Sequence, residues 1–252
     1  MNILLSGING FMGKEVVKII NATDGINLVG GVDVNLSETC PVPCAKTFDE
    51  ANSMFNGVKI DCIIDFSHHL ATNDLINYAV KNNLPLVLAT TGQTEEEKQV
   101  IFNASKQIPL FFSYNYSLGV ALLCELAKQT ASAFPDAEIE IIEKHHDRKV
   151  DAPSGTAIML AESIKEVRPE TYAKVGRSGA GKREKNEIGI HAIRMGNIVG
   201  EHEVIIGTQN QQISLKHEAF SRALFAEGAI SAVKFLVGKP NGHYTMQDII
   251  KG

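Results

Sequence analysis

The sequence predicts an α/β protein with two domains. The first is a doubly wound parallel sheet and the second an α+β unit with a mixed or antiparallel sheet. Three observations lead there. Strand-like and helix-like patterns alternate through the first half of the chain. The turn after the first strand reads Gly7-Ile8-Asn9-Gly10-Phe11-Met12-Gly13. After residue 117 the alternation gives way to a long apolar helix and then a run of strands.

Residues 2–6 are apolar and end at Ser6-Gly7, a first strand. Met12, Val16, Val17 and Ile20 recur on one side of a helix. Residues 26–32 form a second strand ending at Asp33, with further strands at 60–64, 84–89 and 108–112. Helices are expected near 70–81 and 94–105. The second opens at Thr94, with Glu95, Glu96 and Glu97 facing the unpaired N–H groups of its first turn. Further on come a helix over about 118–134, a strand at 137–143 and a helix over about 153–166. Residues 168–187 are polar and glycine-rich, with Arg177, Lys182, Arg183 and Lys185, and read as a long loop serving as a lid or an oligomer contact. Strands follow at 188–194, 199–206 and 211–217, then a last helix near 221–237 with Leu224, Ala229, Val233 and Leu236 on one side.

Composition excludes several classes. The 252 residues are 44% hydrophobic and 21% charged, ordinary values for a packed globular chain. A net charge of −5 argues against a nucleic-acid surface. No apolar run approaches the roughly 18–20 residues that span a bilayer, and Met1 through Gly7 reads as a strand, not as a signal peptide. Cys40, Cys44, Cys62 and Cys124 are too few and scattered for a disulfide scaffold. Cys40 and Cys44 read as loop residues, not as a metal or redox pair, so a reducing, cytoplasmic setting is expected.

The glycine turn has the spacing G-x-x-G-x-x-G between a strand and a helix. Glycine lets backbone approach a pyrophosphate, which rests on the helix N-terminus. Asp33, about twenty residues on, stands where a carboxylate accepts from a ribose hydroxyl. Val34 and Asn35 bring no charge for a 2′-phosphate, so the reading favours NADH over NADPH, with Lys14 or Lys46 as a cation that folding could supply. Ala89-Thr90-Thr91-Gly92 and Ser113-Tyr114-Asn115-Tyr116-Ser117 follow strands, at the carboxyl ends where open α/β sheets bind ligands.

The richest stretch runs from Glu143 to Thr156: Glu-Lys-His-His-Asp-Arg-Lys-Val-Asp-Ala-Pro-Ser-Gly-Thr. His145, His146 and Lys149 can move protons and hold anions. Pro153 fits the first turn of a helix and Asp151 its N-cap, so Ser154, Gly155 and Thr156 would offer N–H groups and hydroxyls to a carboxylate. Zinc fits poorly, because adjacent histidines do not usually chelate one ion and no H-E-x-x-H or C-x-x-C is present. A serine nucleophile lacks its G-x-S-x-G setting, and no Gly-Lys-Ser/Thr marks a phosphate loop. His68-His69 reads as a solvated loop.

This combination resembles the dihydrodipicolinate reductase family, also called 4-hydroxy-tetrahydrodipicolinate reductase, along almost the whole chain. Glu143 through Ala157 matches the family's E-x-H-H-x-x-K-x-D-A-P-S-G-T-A signature. Asp65-Phe66-Ser67, Ala89 through Gly92, Asn115 through Ser117, Arg194 through His202, Ser221-Arg222 and Phe225 through Ala229 match as well. The resemblance implies an N-terminal Rossmann domain, residues 1–116 and 221–252, and a substrate-binding and oligomerisation domain, residues 117–220. It implies His145 as acid/base and Lys149 as proton donor, with His146, Lys149, Ser154, Gly155 and Thr156 on the substrate's carboxylates. Gly7, Ile8, Asn9, Gly10, Phe11, Met12, Asp33, Ala89, Thr90, Thr91, Ser113, Tyr114, Asn115 and Tyr116 would hold NADH or NADPH. A homotetramer built through 188–217 and a role in lysine and diaminopimelate synthesis follow from the same likeness, and the expected mechanism has the domains close by a hinge near 115–117 and 218–221. Phe11 stands where the family usually has arginine, and Val34 where a basic residue often follows Asp33. Both departures favour NADH. The rival readings are another Rossmann-type amino-acid dehydrogenase and a nicotinamide-sensing regulator without turnover.

Overall fold

A computed structural model describes Met1–Gly252. The chain starts with β1 (Asn2–Ser6), α1 (Phe11–Asn21), β2 (Asn27–Val32), β3 (Cys44–Ala45), α2 (Phe48–Met54) and β4 (Cys62–Asp65). A short 3-10 turn, His69–Ala71, leads into α3 (Thr72–Lys81), β5 (Leu86–Leu88), α4 (Glu95–Ala104) and β6 (Pro109–Phe112). Then come α5 (Leu118–Ala133), β7 (Glu138–His145), α6 (Gly155–Lys165), β8 (Tyr172–Val175), β9 (Glu187–Arg194), β10 (Gly200–Gly207) and β11 (Gln212–Ala219). The chain closes with α7 (Ala223–Leu236), β12 (Gly242–Tyr244) and α8 (Met246–Lys251). It divides into two compact units, Met1–Ser117 with Ala223–Gly252, and Leu118–Arg222. No helix is long and apolar enough to cross a membrane.

The first unit holds a seven-stranded sheet in the order β12-β6-β5-β4-β1-β2-β3. Every neighbouring pair in it is parallel. Such strands are buried on both faces, and β4 and β5 are buried at every position. The order reverses direction between β1 and β4, the crevice where doubly wound sheets take ligands. Leu4, Ile63, Leu86, Leu88 and Leu110 from the strands pack with Leu75, Tyr78 and Ile101 from α3 and α4. The expected acidic cap of α4 is a full capping box: Thr94 Oγ1 accepts from Glu97 N at 3.2 Å, and Glu97 accepts from Thr94 N at 2.8 Å.

The second unit has a five-stranded sheet, order β11-β10-β7-β9-β8. β7, β8 and β9 run parallel, and β10 is antiparallel to both β7 and β11. The sheet is therefore mixed, as expected. One face packs Ile139, Ile141, Ile188, Ile190, Val204 and Ile206 against α5 and α6, through Leu123, Cys124, Leu160 and Ile164. This covered face positions the chemistry: β7 alternates strictly, so Glu143 and His145 continue the row begun by Ile139 and Ile141.

Several sequence expectations change. β3, α2, β12 and α8 are additional elements. The 168–187 stretch is not all loop, because Tyr172–Val175 pairs with β9. All four residues of that strand are exposed, which erases the apolar alternation. α6 starts at Gly155 and not at Pro153, since Ser154 is its N-cap and accepts from Ala157 N at 3.2 Å. Asp151 does not cap it; its carboxylate is held 2.7 Å from Lys149 Nζ. Cys40 and Cys44 form a disulfide, with S–S 2.02 Å. The intervening Pro41 and Pro43 fix two φ angles in the small ring. This pairing removes the argument from unpaired cysteines for a reducing compartment.

Candidate active site

Two constellations emerge, one in each unit. In the first, a cavity of about 370 Å³ opens at the carboxyl ends of β1, β2 and β4. Its lining includes Gly7, Asn9, Gly10, Asp33, Lys46 and His68. Gly7 has φ +78°, and a Cβ there would press into the Phe66 carbonyl. Only glycine lets β1 turn this tightly before α1. Asp33 accepts from Asn9 N and Asn35 N, each at 2.9 Å, which ties the glycine turn to the end of β2. The cradle suits a dinucleotide: backbone N–H groups at a helix start, a carboxylate beside them, and open volume between.

The other expected cofactor residues divide. Asn9 and Gly10 line the cavity, while the Ile8 side chain is buried in the core, leaving only its backbone. Phe11 is 65% exposed, and Met12 lies beside it at the start of α1. Ala89 and Thr90 are buried at the end of β5. Thr90 Oγ1 donates to Asp65 at 2.5 Å, and Ser67 Oγ donates to the same carboxylate at 2.6 Å. Burial pushes the Asp65 carboxyl up, against the pull of these hydroxyls. Thr91 is exposed. Ser113 Oγ donates to Asn115 O, Asn115 Oδ1 accepts from Ser117 N, and Tyr114 is exposed under Lys98. Tyr116 departs from expectation. Its hydroxyl points inward, donating to Leu88 O and Phe111 O, and its ring is 3% exposed among Phe66 and Phe111. Its side chain is core. His68 lines the cavity and caps the 3-10 turn, and His69 sits 3.1 Å from Glu97, so neither is a plain solvated loop residue.

In the second unit, Glu143 is the hub, with no exposed surface. It receives two hydrogen bonds from Arg194, at 2.7 and 2.6 Å, and one from Ser154 N at 2.9 Å. His145 Nδ1 lies 2.6 Å from its other side. The parallel register sets His145 directly opposite Arg194. Desolvation pushes the Glu143 carboxyl up, but Arg194, His145 and Ser154 N–H together hold it below its ordinary value. Burial lowers His145, partly offset by Glu143. His202 on β10 lies edge-on to His145, with ring centroids 5.2 Å apart. Its Nε2 is 3.0 Å from Ser154 Oγ. That oxygen also accepts from Ala157 N, which links His202 to the first turn of α6. Burial, then the nearby His145, pushes His202 down to about 4.

Lys149 and the start of α6 complete the group. Lys149 pairs with Asp151, which is lowered mainly by that contact. Gly155 and Thr156 precede the first intrahelical bond, Ile158 N to Ser154 O at 3.2 Å, so their N–H groups belong to the anion-attracting first turn. Ser154 spends both N–H and hydroxyl inside the protein. His146 donates its N–H to Ile198 O, and its ring stands 3.5 Å from Arg222. Sequence reasoning quoted Glu143, Arg194 and His202 but gave them no role. The i, i+2 spacing of Glu143 and His145 was the available signal.

Comparisons with known proteins agree with this geometry. Residues 1–116 match the family described as dihydrodipicolinate reductase, N-terminus, and residues 119–250 its C-terminus. The 4-hydroxy-tetrahydrodipicolinate reductase of Clostridium novyi (strain NT) is 45% identical over 251 residues, covering 99% of this chain and 98% of the relative. That of Caldanaerobacter subterraneus subsp. tengcongensis is 44% identical over 255 residues, covering 100% and 98%. A solved structure, dipicolinate-bound dihydrodipicolinate reductase from Paenisporosarcina sp. TG-14, superposes with TM-score 0.83 at 25% identity, covering 99% of each chain. A glycine cradle, an acid–base cluster at a helix start, and matches spanning both units have one reading: the chain belongs to the dihydrodipicolinate reductase family, and it is an oxidoreductase.

Proposed function

We propose that this chain reduces 4-hydroxy-tetrahydrodipicolinate to tetrahydrodipicolinate, with Lys149 and His145 handling the proton. The observation that carries this reading is the cluster of His145, Lys149 and the first turn of α6 around a fully buried Glu143. A bound nicotinamide supplies the hydride. The protein's part is orientation and charge. Gly155, Thr156 and Lys149 hold the substrate's carboxylates, with His146 beside them. Loss of the 4-hydroxyl as water leaves the unsaturated ring that accepts the hydride. The negative charge that hydride addition puts on that ring is neutralised by a proton from the Lys149 ammonium, and His145 assists or relays it. The first unit binds the cofactor and the second the substrate.

NADH is the preferred cofactor on this reading, and Lys46 lets NADPH be used. Asp33 leaves lone pairs for ribose hydroxyls and repels a 2′-phosphate, whereas the exposed Lys46 lines the same cavity. The test is a coupled assay in which a synthase makes the cyclic substrate from pyruvate and aspartate semialdehyde, followed at 340 nm. Substrate-dependent oxidation is expected to be faster with NADH. Lys46→Ala should raise KM for NADPH about tenfold, the worth of one charge-assisted hydrogen bond, and leave NADH nearly unchanged. Folded protein that binds NADH but oxidises neither cofactor would overturn the assignment.

A homotetramer through the 188–217 strands belongs to the same proposal. The sheet face opposite α5 and α6 carries Ile142, Ile193 and Ile205 among charged residues, and Ile193 is 38% exposed. Sedimentation velocity should give a species about four times the chain mass of 27.4 kDa. A monomer at micromolar concentration would refute it.

A further inference from the structure

We propose that Glu143 is a positioning residue that fixes the proton of His145 on Nδ1, so that Nε2 is the nitrogen presented for proton transfer. The inference rests on the reading of His145 as the acid/base group and adds what orients it. An ionised carboxylate can only accept hydrogen bonds. Arg194 and Ser154 N–H keep Glu143 in that state, through three bonds of 2.6–2.9 Å. The 2.6 Å contact to His145 is therefore donated by Nδ1–H, and Nε2 carries the lone pair. Nε2 makes no hydrogen bond within the chain. It lies over Gly200, where a Cβ would come within 3.1 Å of it. Glycine at that position lets the Nε2 edge sit against β10. Glu143 has no exposed surface and cannot touch substrate, so its effect passes through the imidazole.

The charged and titratable groups facing His145 come from every neighbouring element. Glu143 lies on its own strand, Arg194 on β9, His202 on β10 with His217 beside it on β11, and Lys149 and Asp151 on the segment after β7. Glu143 is the carboxylate bonded to the ring, and Arg194 and Lys149 oppose its effect. Neutralising it removes the attraction that favours the imidazolium, so the His145 limb of the pH–rate profile must move to lower pH.

The experiment pairs Glu143→Gln with 15N spectroscopy of the histidines, His145→Ala assigning its signal among the eight in the chain. The unaltered protein should show the Nδ1–H tautomer. Glu143→Gln, which can donate to Nδ1, should switch it to Nε2–H and lower kcat about 10–100-fold, part of what a general acid–base group contributes. KM for substrate and cofactor should stay within about threefold, as for a loss confined to the transition state. Glu143→Asp should recover part of the rate. An Nε2–H tautomer in the unaltered protein, or a Glu143→Gln variant with unchanged rate and pH profile, overturns the proposal. Should Glu143→Gln fail to fold, the tautomer of the unaltered protein decides alone. Full activity in His145→Ala would instead remove the acid/base role of His145, a different failure.

Discussion

Lys149→Ala is expected to lower kcat about 10²–10⁴-fold, the usual range for a general acid, while the cofactor dissociation constant stays within about twofold. The ammonium has two tasks in the proposed reaction. It attracts a carboxylate beside the first turn of α6, and it gives the proton that quenches charge on the reduced ring. Only the second is confined to the transition state, so kcat should fall further than KM rises. Its ion-pair partner within the chain is Asp151, 2.7 Å away and 57% exposed, a contact that a dicarboxylate can replace. His145→Ala should behave similarly with a smaller loss, since water can substitute for a relay better than for a fixed cation. Stopped-flow turnover and fluorescence titration of NADH separate the two quantities. Equal losses of turnover and NADH binding in a folded variant would remove both residues from the chemistry.

Arg194→Met should destabilise the second unit by about 3–5 kcal/mol, the cost of leaving a buried charge without its partner. Glu143 is fully buried, and Arg194 supplies two of its hydrogen bonds while its own side chain is 18% exposed. Removing Glu143 and Arg194 together should cost less than the single change, because no charge is then stranded. The pH dependence has a fixed sign. Glu143 titrates below its ordinary value of 4.5 in the folded protein, so the stability it contributes is present above that value and is lost as pH falls through the folded pKa. In Arg194→Met, burial is no longer opposed by the guanidinium and the carboxyl titrates higher. The penalty is then largest near neutrality and shrinks as acid protonates Glu143. Urea unfolding at pH 7 and pH 4.5 measures both. An equal penalty at the two values would show that packing, not charge, is what Arg194 provides.

The sequence carried the sheet of the first unit well, because its strands are apolar runs separated by helices with strong periodicity. The parallel order and the ligand crevice follow from that alternation. Short elements escaped. β3 has two residues, and β12 has three with no buried position. α2 left a trace, Thr47 followed by Glu50 at capping distance, but its seven residues have too little period to read. In the site, the histidines, Lys149 and the turn were legible as residue types. The organising pair was not. Glu143 and Arg194 lie 51 positions apart and meet only because β7 and β9 pair in parallel. Each alone looks like an exposed charge, and burial of a carboxylate is a property of the sheet, not of the string. Tyr116 misled for the opposite reason: a loop position next to ligand-binding strand ends turned out to fold its ring inward.

The last strand bears on how the chain reaches this state. β12 joins the sheet beside β6, and His243 Nε2 meets Phe112 O across 131 positions of sequence. A ribosome therefore releases the partner of β6 only after the whole inserted unit has emerged. Until then the first sheet has an open edge, a surface on which other strands can add. The inserted unit has its own core and its own sheet, so once it is folded the loop that β12 must close is far shorter than the sequence separation implies. Synthesis thus imposes an order, insert before closure, and the four-residue β6 is covered last, by a three-residue strand that takes its place as the short edge of the sheet.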